Sequence, residues 1–295
     1  MAKVATVAIV GRTNAGKSTL VNALVGEKVS IVSPVAQTTR NTVRGIVEDA
    51  RGQLVLLDTP GLHKAVGRLG TLLNRMARRS AAGTDIACVV FDASQEPQLE
   101  DLGWMERVAH ERPAKTVFVL NKADCKPFFG QMFRDAWQGD VKIEWLECSA
   151  LDPQGAAKVA DALYGLAEEG ERLFDPDIVT DYPRKLAIAD IIREKFLGRL
   201  HQELPHELGV LVKDIAETKG RWQVAADVLV ARASQKPIVI GKSAAIIKAV
   251  RKAAEKELGE TFGVKVALEL WVRVAANWME DKRLLTQMGY LGAEI

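Results

Sequence analysis

The most informative segment of the sequence is Gly11-Arg12-Thr13-Asn14-Ala15-Gly16-Lys17-Ser18, followed by Thr19. It matches the pattern GxxxxGK[ST]. It lies between an apolar run, Val4–Val10, and a segment of helical spacing that opens at Gly16. In such a loop the backbone N–H groups and the helix N-terminus point at phosphate oxygens. Lys17 is then placed to neutralise the β- and γ-phosphates, and the Ser18 hydroxyl to bind Mg²⁺. The stretch therefore predicts a nucleotide-binding phosphate loop.

Length and composition are those of an ordinary globular protein. The 295 residues are 48% hydrophobic, and 40 Lys and Arg against 38 Asp and Glu leave a net charge of +2. A length of about twice 150 residues predicts two domains. The near-neutral charge excludes a histone-like class of nucleic-acid-binding protein. Basic residues are nevertheless concentrated in Ser234–Lys256, which contains six Lys and Arg residues and only one acidic residue, a Glu.

The cysteines indicate a reducing compartment, and the hydropathy of the sequence argues against a membrane-spanning helix. The three cysteines have no CxxC spacing, so neither a disulfide framework nor a cysteine-built zinc site is expected. No apolar run approaches the roughly 18–20 residues that a membrane-spanning helix needs. We therefore expect a cytoplasmic protein.

The first half alternates short apolar runs with segments of helical spacing. The predicted strands are Val4–Val10, Leu54–Asp58, Ile86–Asp92, Thr116–Leu120 and Ile143–Cys148, and the predicted helices are Gly16–Gly26, Leu69–Ala82, Glu100–Arg112 and Ala156–Glu169. Continuous apolar strands separated by helices indicate an α/β domain, with a mostly parallel sheet covered by helices on both faces. Ligands of such sheets bind beyond the carboxyl ends of the strands.

Three later segments, each at the end of a predicted strand, bear on the identity of the base. They are Asp58-Thr59-Pro60-Gly61, Asn121-Lys122-Ala123-Asp124 and Ser149-Ala150. Asp58 can hold Mg²⁺ through water, and the N–H of Gly61 can meet the γ-phosphate. The two carboxylate oxygens of Asp124 suit a base edge with two adjacent donors, which guanine has and adenine lacks. A backbone N–H at Ser149-Ala150 suits the exocyclic oxygen of guanine. Together these segments predict that the nucleotide is GTP or GDP.

These segments resemble the boxes of a Ras-like GTPase of the translation-factor-related class. Ser33–Arg40 is similar to the switch I segment of the Era family, and Asp58–Lys64 to its switch II. The resemblance implies that a switch I threonine joins Ser18 and Asp58 at the Mg²⁺ when GTP is bound. Thr39 is the first choice and Thr38 the second, because the doublet leaves the register open.

The resemblance also bears on the rate of hydrolysis, which it assigns to Lys17, Asn14, Thr39 and Gly61. Leu62 lies in the nucleotide-binding segment where Ras-type enzymes carry a water-orienting glutamine, so slow or assisted hydrolysis is expected. Asn14 matches a position that in related GTPases helps to bind K⁺, which is a hypothesis here. Two further loop residues, Arg12 and His63, are expected to be exposed to solvent.

The second half changes to an α-β-β-α-α-β order, provided that a short helix precedes Gly241. The predicted elements are a helix at Ile188–Gln202, strands at Val210–Glu217, Trp222–Ala231 and Val264–Val274, a turn at Gly241–Ala244 and a helix at Ala245–Leu258. Trp222, Trp271 and Trp278 are expected in the core or at a domain interface rather than stacked on bases.

The turn at Gly241–Ala244 resembles the GxxG loop of a KH RNA-binding domain, which clamps a nucleic-acid backbone. The order of elements fits the bacterial, type II version, an α+β fold. Further matches to the Era family are Thr180–Pro183, Ile191–Lys195, Glu203–Pro205 and Leu270–Val272. The residues predicted to contact RNA are Lys236, Gly241, Lys242, Ser243, Ala244, Lys248, Arg251 and Lys252. One departure is Ala244, which replaces the last loop glycine and weakens the grip on RNA if its φ must be positive.

The resemblance covers nearly the whole chain. It implies an Era-type GTPase domain at 1–174, a linker at 175–183 and a KH domain at 184–295. It further implies a GTP-hydrolysing switch that binds 16S ribosomal RNA near its 3′ end and assists maturation of the 30S subunit. The protein is expected to be a monomer, cytoplasmic, with peripheral association with the inner membrane. Two alternatives are an RNA-binding scaffold whose GTP site hardly hydrolyses nucleotide, and a P-loop small-molecule kinase, against which Asn121–Asp124 argues.

Overall fold

The apolar runs of the first half form one sheet of seven strands. The computed structural model describes residues 2–33, 35, 38–61, 67–113, 115–200 and 204–291. The strands of this sheet are β1 Ala2–Val10, β2 Val43–Asp49, β3 Gly52–Asp58, β4 Ile86–Asp92, β5 Thr116–Asn121, β6 Glu144–Glu147 and β7 Glu168–Gly170. The helices between them are α1 Lys17–Val25, α2 Gly67–Ala82, α3 Leu99–Glu111, α4 Gly130–Ala136 and α5 Pro153–Leu166.

The sheet has the order β2-β3-β1-β4-β5-β6, and β7 also pairs with β1. The pairs among β3, β1, β4, β5 and β6 are parallel, whereas β2 and β7 pair antiparallel with β3 and β1. Ile9 lies opposite Asp58, and Asp92 lies opposite Asn121. The register thus gathers polar residues at the carboxyl ends of the strands, where ligands of parallel sheets bind.

Successive residues of β1 enter two different apolar clusters, as side-chain alternation in a strand requires. Val7 and Ile9 pack with residues of α1 and α5 on one face. Ala8 and Val10 pack with residues of α3 and α4 on the other. Burial on both faces explains why these strands are apolar without alternation, and the predicted mostly parallel sheet covered by helices is confirmed.

The first half differs from the prediction at β2, at α4 and at the end of α5. β2 was not predicted, because this edge strand carries Arg44 and Gly45 and ends in two acidic residues. The short helix α4 was also missed. The last predicted helix, Ala156–Glu169, ends instead at Leu166, because Ala167 takes an extended conformation (φ −66°, ψ 144°) and leads into β7.

The second half forms a sheet of three strands, β8 Gly209–Thr218, β9 Arg221–Val230 and β10 Lys265–Val274, in the order β10-β9-β8. β8 and β9 are antiparallel, and β9 and β10 are parallel. The helices are α6 Arg184–Leu197, α7 Leu204–Glu207, α8 Lys236–Ile240, α9 Ala245–Phe262 and α10 Lys282–Gln287. The helix α8, with Pro237 in its first turn, supplies the element that the sequence left open before Gly241.

The tryptophans of this half have two different environments. Trp222 and Trp278 are buried, as expected. Trp271 is 61% exposed, so the prediction of a core position is wrong for it. The reason is the alternation along β10, which turns Leu268 and Val272 inward and Trp271 outward.

Contacts divide the chain into two compact units. The first comprises Met1–Val32 and Thr39–Asp181, and the second comprises Ser33–Thr38 and Tyr182–Ile295. Of the helices in the described part of the chain, none combines the length and apolar character that crossing a bilayer requires.

Candidate nucleotide site and candidate RNA interface

The phosphate loop turns from the end of β1 into the start of α1. Gly16 caps α1 with a φ of 92°, in the left-handed region. A Cβ at Gly16 would lie 2.2 Å from Nδ2 of Asn121. The position therefore needs glycine for its backbone conformation and for the closeness of a second loop.

Asn121 ties three of the predicted segments together. Its Nδ2 donates to the carbonyl of Ala15 at 2.8 Å, and its Oδ1 accepts from the N–H of Ala150 at 2.9 Å. Asn121 is 2% exposed. This amide therefore has a structural role that the motif did not reveal. The N–H of Ala150 is therefore already engaged with Asn121 in this structure. The contact of Ser149-Ala150 with guanine stays a prediction.

Lys17 is the first residue of α1 and is buried. Its Nζ donates to the carbonyl of Arg12 at 2.8 Å. Burial lowers the pKa of Lys17 to about 8, against the attraction of Asp58, which raises it. A Cβ at Gly61 would lie 2.6 Å from the Thr13 nitrogen and 2.8 Å from Nζ of Lys17. The structure thus brings Thr13, Lys17 and Gly61 together as the motifs predict.

Three oxygen-bearing side chains converge beside Lys17. Oγ of Ser18 donates to Oδ2 of Asp58 at 2.6 Å, and it lies 2.9 Å from Oγ1 of Thr39. The other oxygen of Asp58, Oδ1, is buried without a hydrogen-bond partner among the described residues. Burial raises the pKa of Asp58, and the hydrogen bond from Ser18 opposes that rise. Hydroxyl and carboxylate oxygens are the ligands that Mg²⁺ prefers, so this set fits a magnesium ion.

The geometry also bears on which switch I threonine meets the metal. The hydroxyl of Thr39 faces Ser18, whereas that of Thr38 donates to the carbonyl of Val35 at 2.5 Å. The arrangement favours Thr39. Pro34, Ala36 and Gln37 of switch I lie outside the described residues, as do Leu62, His63 and Lys64 of switch II.

The predicted base-recognition loop follows β5. Asp124 is exposed, and a hydrogen bond from the Ser149 side chain lowers the pKa of its carboxyl, which keeps it ionised. The N–H of Ala123 donates to the carbonyl of Cys148 at 3.0 Å. Lys122 takes a φ of 63° and reaches Oδ2 of Asp92 at 2.7 Å. An ionised carboxylate at an open edge can accept from two donors of a purine.

The expectation that the Arg12 side chain is exposed to solvent is wrong. Arg12 lies 3.0 Å from Asp101 and 3.3 Å from Asp92, and its side chain is 13% exposed. Buried carboxylates require cations, and Arg12 pairs with both of them while Lys122 also pairs with Asp92. The sequence did not identify Asp92 and Asp101, although Asp92 ends a predicted strand at the ligand-binding edge and could have been noticed there.

The loop Gly241–Ala244 in the second unit has a strained backbone. Ser243 has φ 52° and Ala244 has φ 61°, both in the left-handed region, and the Ala244 N–H donates to the Gly241 carbonyl at 3.0 Å. Alanine there costs about 1–2 kcal/mol relative to glycine. The five cations that are predicted to contact RNA are all exposed, namely Lys236, Lys242, Lys248, Arg251 and Lys252.

A cavity of about 430 Å³ lies beside this loop, between α9 and β10. Its lining combines cations with apolar side chains, namely Ala244, Ile247, Lys248, Arg251, Leu268, Glu269, Leu270 and Trp271. Trp271 is a candidate RNA-facing residue that the sequence analysis missed. Counting alternate residues along β10 from the buried Leu268 would have placed it outward.

Family models match both halves of the chain. The model of 50S ribosome-binding GTPases matches residues 6–122, and the KH-domain model matches residues 203–279. Two solved structures are similar over 98% of the chain and 99% of their own length. One is Era in complex with MgGDPNP and nucleotides 1506–1542 of 16S ribosomal RNA (31% identity, TM-score 0.88). The other is an Aquifex aeolicus Era variant bound to GDP and AlF4⁻ (32% identity, TM-score 0.87).

Curated relatives agree with the solved structures. GTPase Era of Rippkaea orientalis is 36% identical over 287 residues, which span 96% of this chain and 91% of that protein. GTPase Era of Xanthomonas oryzae pv. oryzae is 37% identical over 292 residues, 96% of each. The predicted resemblance and the predicted fold class are confirmed, and the chain belongs to the GTPase Era family.

Proposed function

We propose that this protein is a GTP-hydrolysing switch that binds 16S ribosomal RNA near its 3′ end and assists maturation of the 30S subunit. The observation that carries the proposal is the convergence of Ser18, Thr39 and Asp58 at the phosphate loop. The similar Era structure with MgGDPNP and a 16S fragment supports the pairing of the two ligands. A scaffold without hydrolysis is not favoured, because the relatives are GTPases.

The residues of the chain have distinct tasks in hydrolysis. Ser18, Thr39 and Asp58 would hold Mg²⁺, which when bound neutralises charge on the β- and γ-phosphates. Burial lowers the pKa of the Lys17 amine. A phosphate oxygen beside this amine would favour its charged form and would in turn be neutralised by it. The N–H of Gly61 points its dipole at the γ-phosphate in this proposal. Leu62 cannot orient water, so the intrinsic rate is expected to be slow.

Asn14 is the residue that we assign to K⁺. It is exposed and takes a φ of 61° in the phosphate loop. A monovalent cation held there would add positive charge near the phosphates, which is the task of an arginine finger in other GTPases. Turnover is therefore expected to be faster in KCl than in NaCl at equal ionic strength, and equal rates would remove K⁺ from the proposal.

RNA binding is assigned to the loop Gly241–Ala244 and the cavity beside it. The five exposed cations supply phosphate contacts, and the apolar lining offers surfaces for unstacked bases. As part of the same proposal we keep the predicted boundaries, with the GTPase domain at 1–174 and the KH domain at 184–295. A monomer in the cytoplasm, in peripheral contact with the inner membrane, also stays part of the proposal.

Crosslinking of the full-length protein to ribosomal subunits tests this function. Purified 30S and 50S subunits are each offered with GTP, with GDP and without nucleotide, and the crosslinked RNA is mapped. We expect crosslinks near the 3′ end of 16S RNA that differ in yield between GTP and GDP. Crosslinks confined to 50S RNA would contradict the choice of partner. Equal yields in all three states would contradict the switch.

A further inference from the structure

A buried polar network on α6 ends at the residue before Thr39. Arg193 is 1% exposed, and its guanidinium donates to the carbonyl oxygen of Thr38. The same guanidinium lies 3.3 Å from Oδ1 of Asp190. The other oxygen of Asp190 accepts from the hydroxyl of Tyr182 at 2.7 Å. All four residues belong to the second compact unit.

Burial of this ion pair has no evident stability benefit. α6 is buried over most of its surface, with Ile188, Ile191, Ile192 and Phe196 in the core. An ion pair that is taken out of water is often no more stable than apolar side chains of similar size. A buried arginine directed at one backbone carbonyl is therefore better explained by what it positions.

The position of Thr39 follows from the carbonyl that Arg193 holds. The oxygen of Thr38, the N–H of Thr39 and the Cα of Thr39 lie in one peptide plane. A guanidinium that fixes the oxygen thus fixes the direction of the Thr39 Cα. Two torsions, φ and χ1 of Thr39, then set the position of Oγ1, which lies 2.9 Å from Oγ of Ser18.

We propose that Arg193, oriented by Asp190 and Tyr182, is a positioning residue for GTP hydrolysis that holds Thr39 in place through the carbonyl of Thr38. The inference rests on the proposed role of Thr39 at Mg²⁺.

The test compares Arg193→Met with Arg184→Met in the full-length protein. Arg184 lies on the same helix, but it is half-exposed and pairs with Glu217 on β8 rather than with a residue of switch I. Arg193→Met is expected to lower the single-turnover rate of GTP hydrolysis about tenfold, as the loss of a charged hydrogen bond does. It should also raise the Mg²⁺ concentration for half-maximal rate. Arg184→Met should change neither value.

Two further measurements separate positioning from a general loss of structure. GDP affinity should stay within about twofold of the unsubstituted protein, because the switch I threonine joins the metal only in the GTP state. Arg193→Lys, which keeps a donor for the carbonyl, should restore part of the rate. Unchanged hydrolysis in Arg193→Met, or an equal loss of GTP and GDP affinity, would overturn the inference.

Two more variants keep the outcome decisive. Should Arg193→Met fail to fold, Tyr182→Phe removes a single hydroxyl from the network and should lower the rate in the same direction by a smaller factor; an unchanged rate there would overturn the inference. Thr39→Ala tests the role on which the inference rests. Normal hydrolysis in Thr39→Ala would refute that role, whereas a defect in Thr39→Ala with none in Arg193→Met would refute the positioning alone.

Discussion

Nδ2 of Asn121 donates to the carbonyl of Ala15 at 2.8 Å, so the residue that opens the base-recognition loop also holds the phosphate loop. Asn121→Asp would place an acceptor against that carbonyl and leave it without a donor. We expect GTP and GDP affinity to fall together by about 10- to 100-fold, the range for an unsatisfied buried acceptor. Calorimetric titration with both nucleotides measures the loss, and a selective loss of GTP would contradict this role.

Asp124 should determine which purine is accepted, independently of the phosphates. Asp124→Asn offers one donor and one acceptor where the carboxylate offered two acceptors. The variant is expected to lose affinity for guanine nucleotides and to gain it for xanthine nucleotides, which present a donor beside a carbonyl. Competition binding with GTP, XTP and ATP measures this exchange. A variant that still prefers GTP would contradict the assignment of the base.

Gly61 should be intolerant of any side chain. A Cβ there would lie 2.6 Å from the Thr13 nitrogen and 2.8 Å from Nζ of Lys17. Gly61→Ala is therefore expected to reduce GTP hydrolysis at least about tenfold, with a smaller effect on GDP affinity, since a shift of Lys17 disturbs the γ-phosphate most.

A second glycine provides the control for Gly61→Ala. Gly103 lies within α3, and a Cβ there would meet nothing within 4 Å. Gly103→Ala should leave hydrolysis unchanged and raise the free energy of unfolding by about 0.5–1 kcal/mol, because alanine is the better helix former. Equal hydrolysis by the two variants would show that the space at Gly61 is not limiting.

Ala244→Gly should relieve strain in the candidate RNA-binding loop. Ala244 has a φ of 61°, and glycine takes this conformation at no steric cost. We expect the free energy of unfolding of the second unit to rise by about 1 kcal/mol. The matched control is Ala249→Gly, at an exposed position within α9, which should lower it by about 1 kcal/mol. Chemical denaturation gives both values, and changes of the same sign would contradict the strain.

The sequence predicted the parts of the site in which a short motif contains the whole chemistry. Asp58 ends a strand, and Ser18 and Asp124 lie in the segments that come after two others, so parallel pairing brings all three to the same edge of the sheet. Contacts between residues far apart in the chain were beyond such reasoning. Arg12 reaches Asp101 on α3, and Arg193 reaches Thr38, because tertiary packing rather than local pattern places them. Trp271 was within reach, since period-two alternation turns it outward.

Lys248 should contribute to RNA binding mainly by neutralising a phosphate. It lines the cavity beside the loop, whereas Lys256 lies two turns further along α9, where it pairs with Glu260. Lys248→Gln is expected to weaken binding to a 16S 3′ fragment and to reduce the slope of log K against log salt by about 1, because one fewer counterion is released. Lys256→Gln, of equal charge change, should leave the slope unaltered. Filter binding from low to moderate KCl measures both slopes, and an equal reduction in the two variants would show that net charge alone, and not a contact at Lys248, governs the affinity.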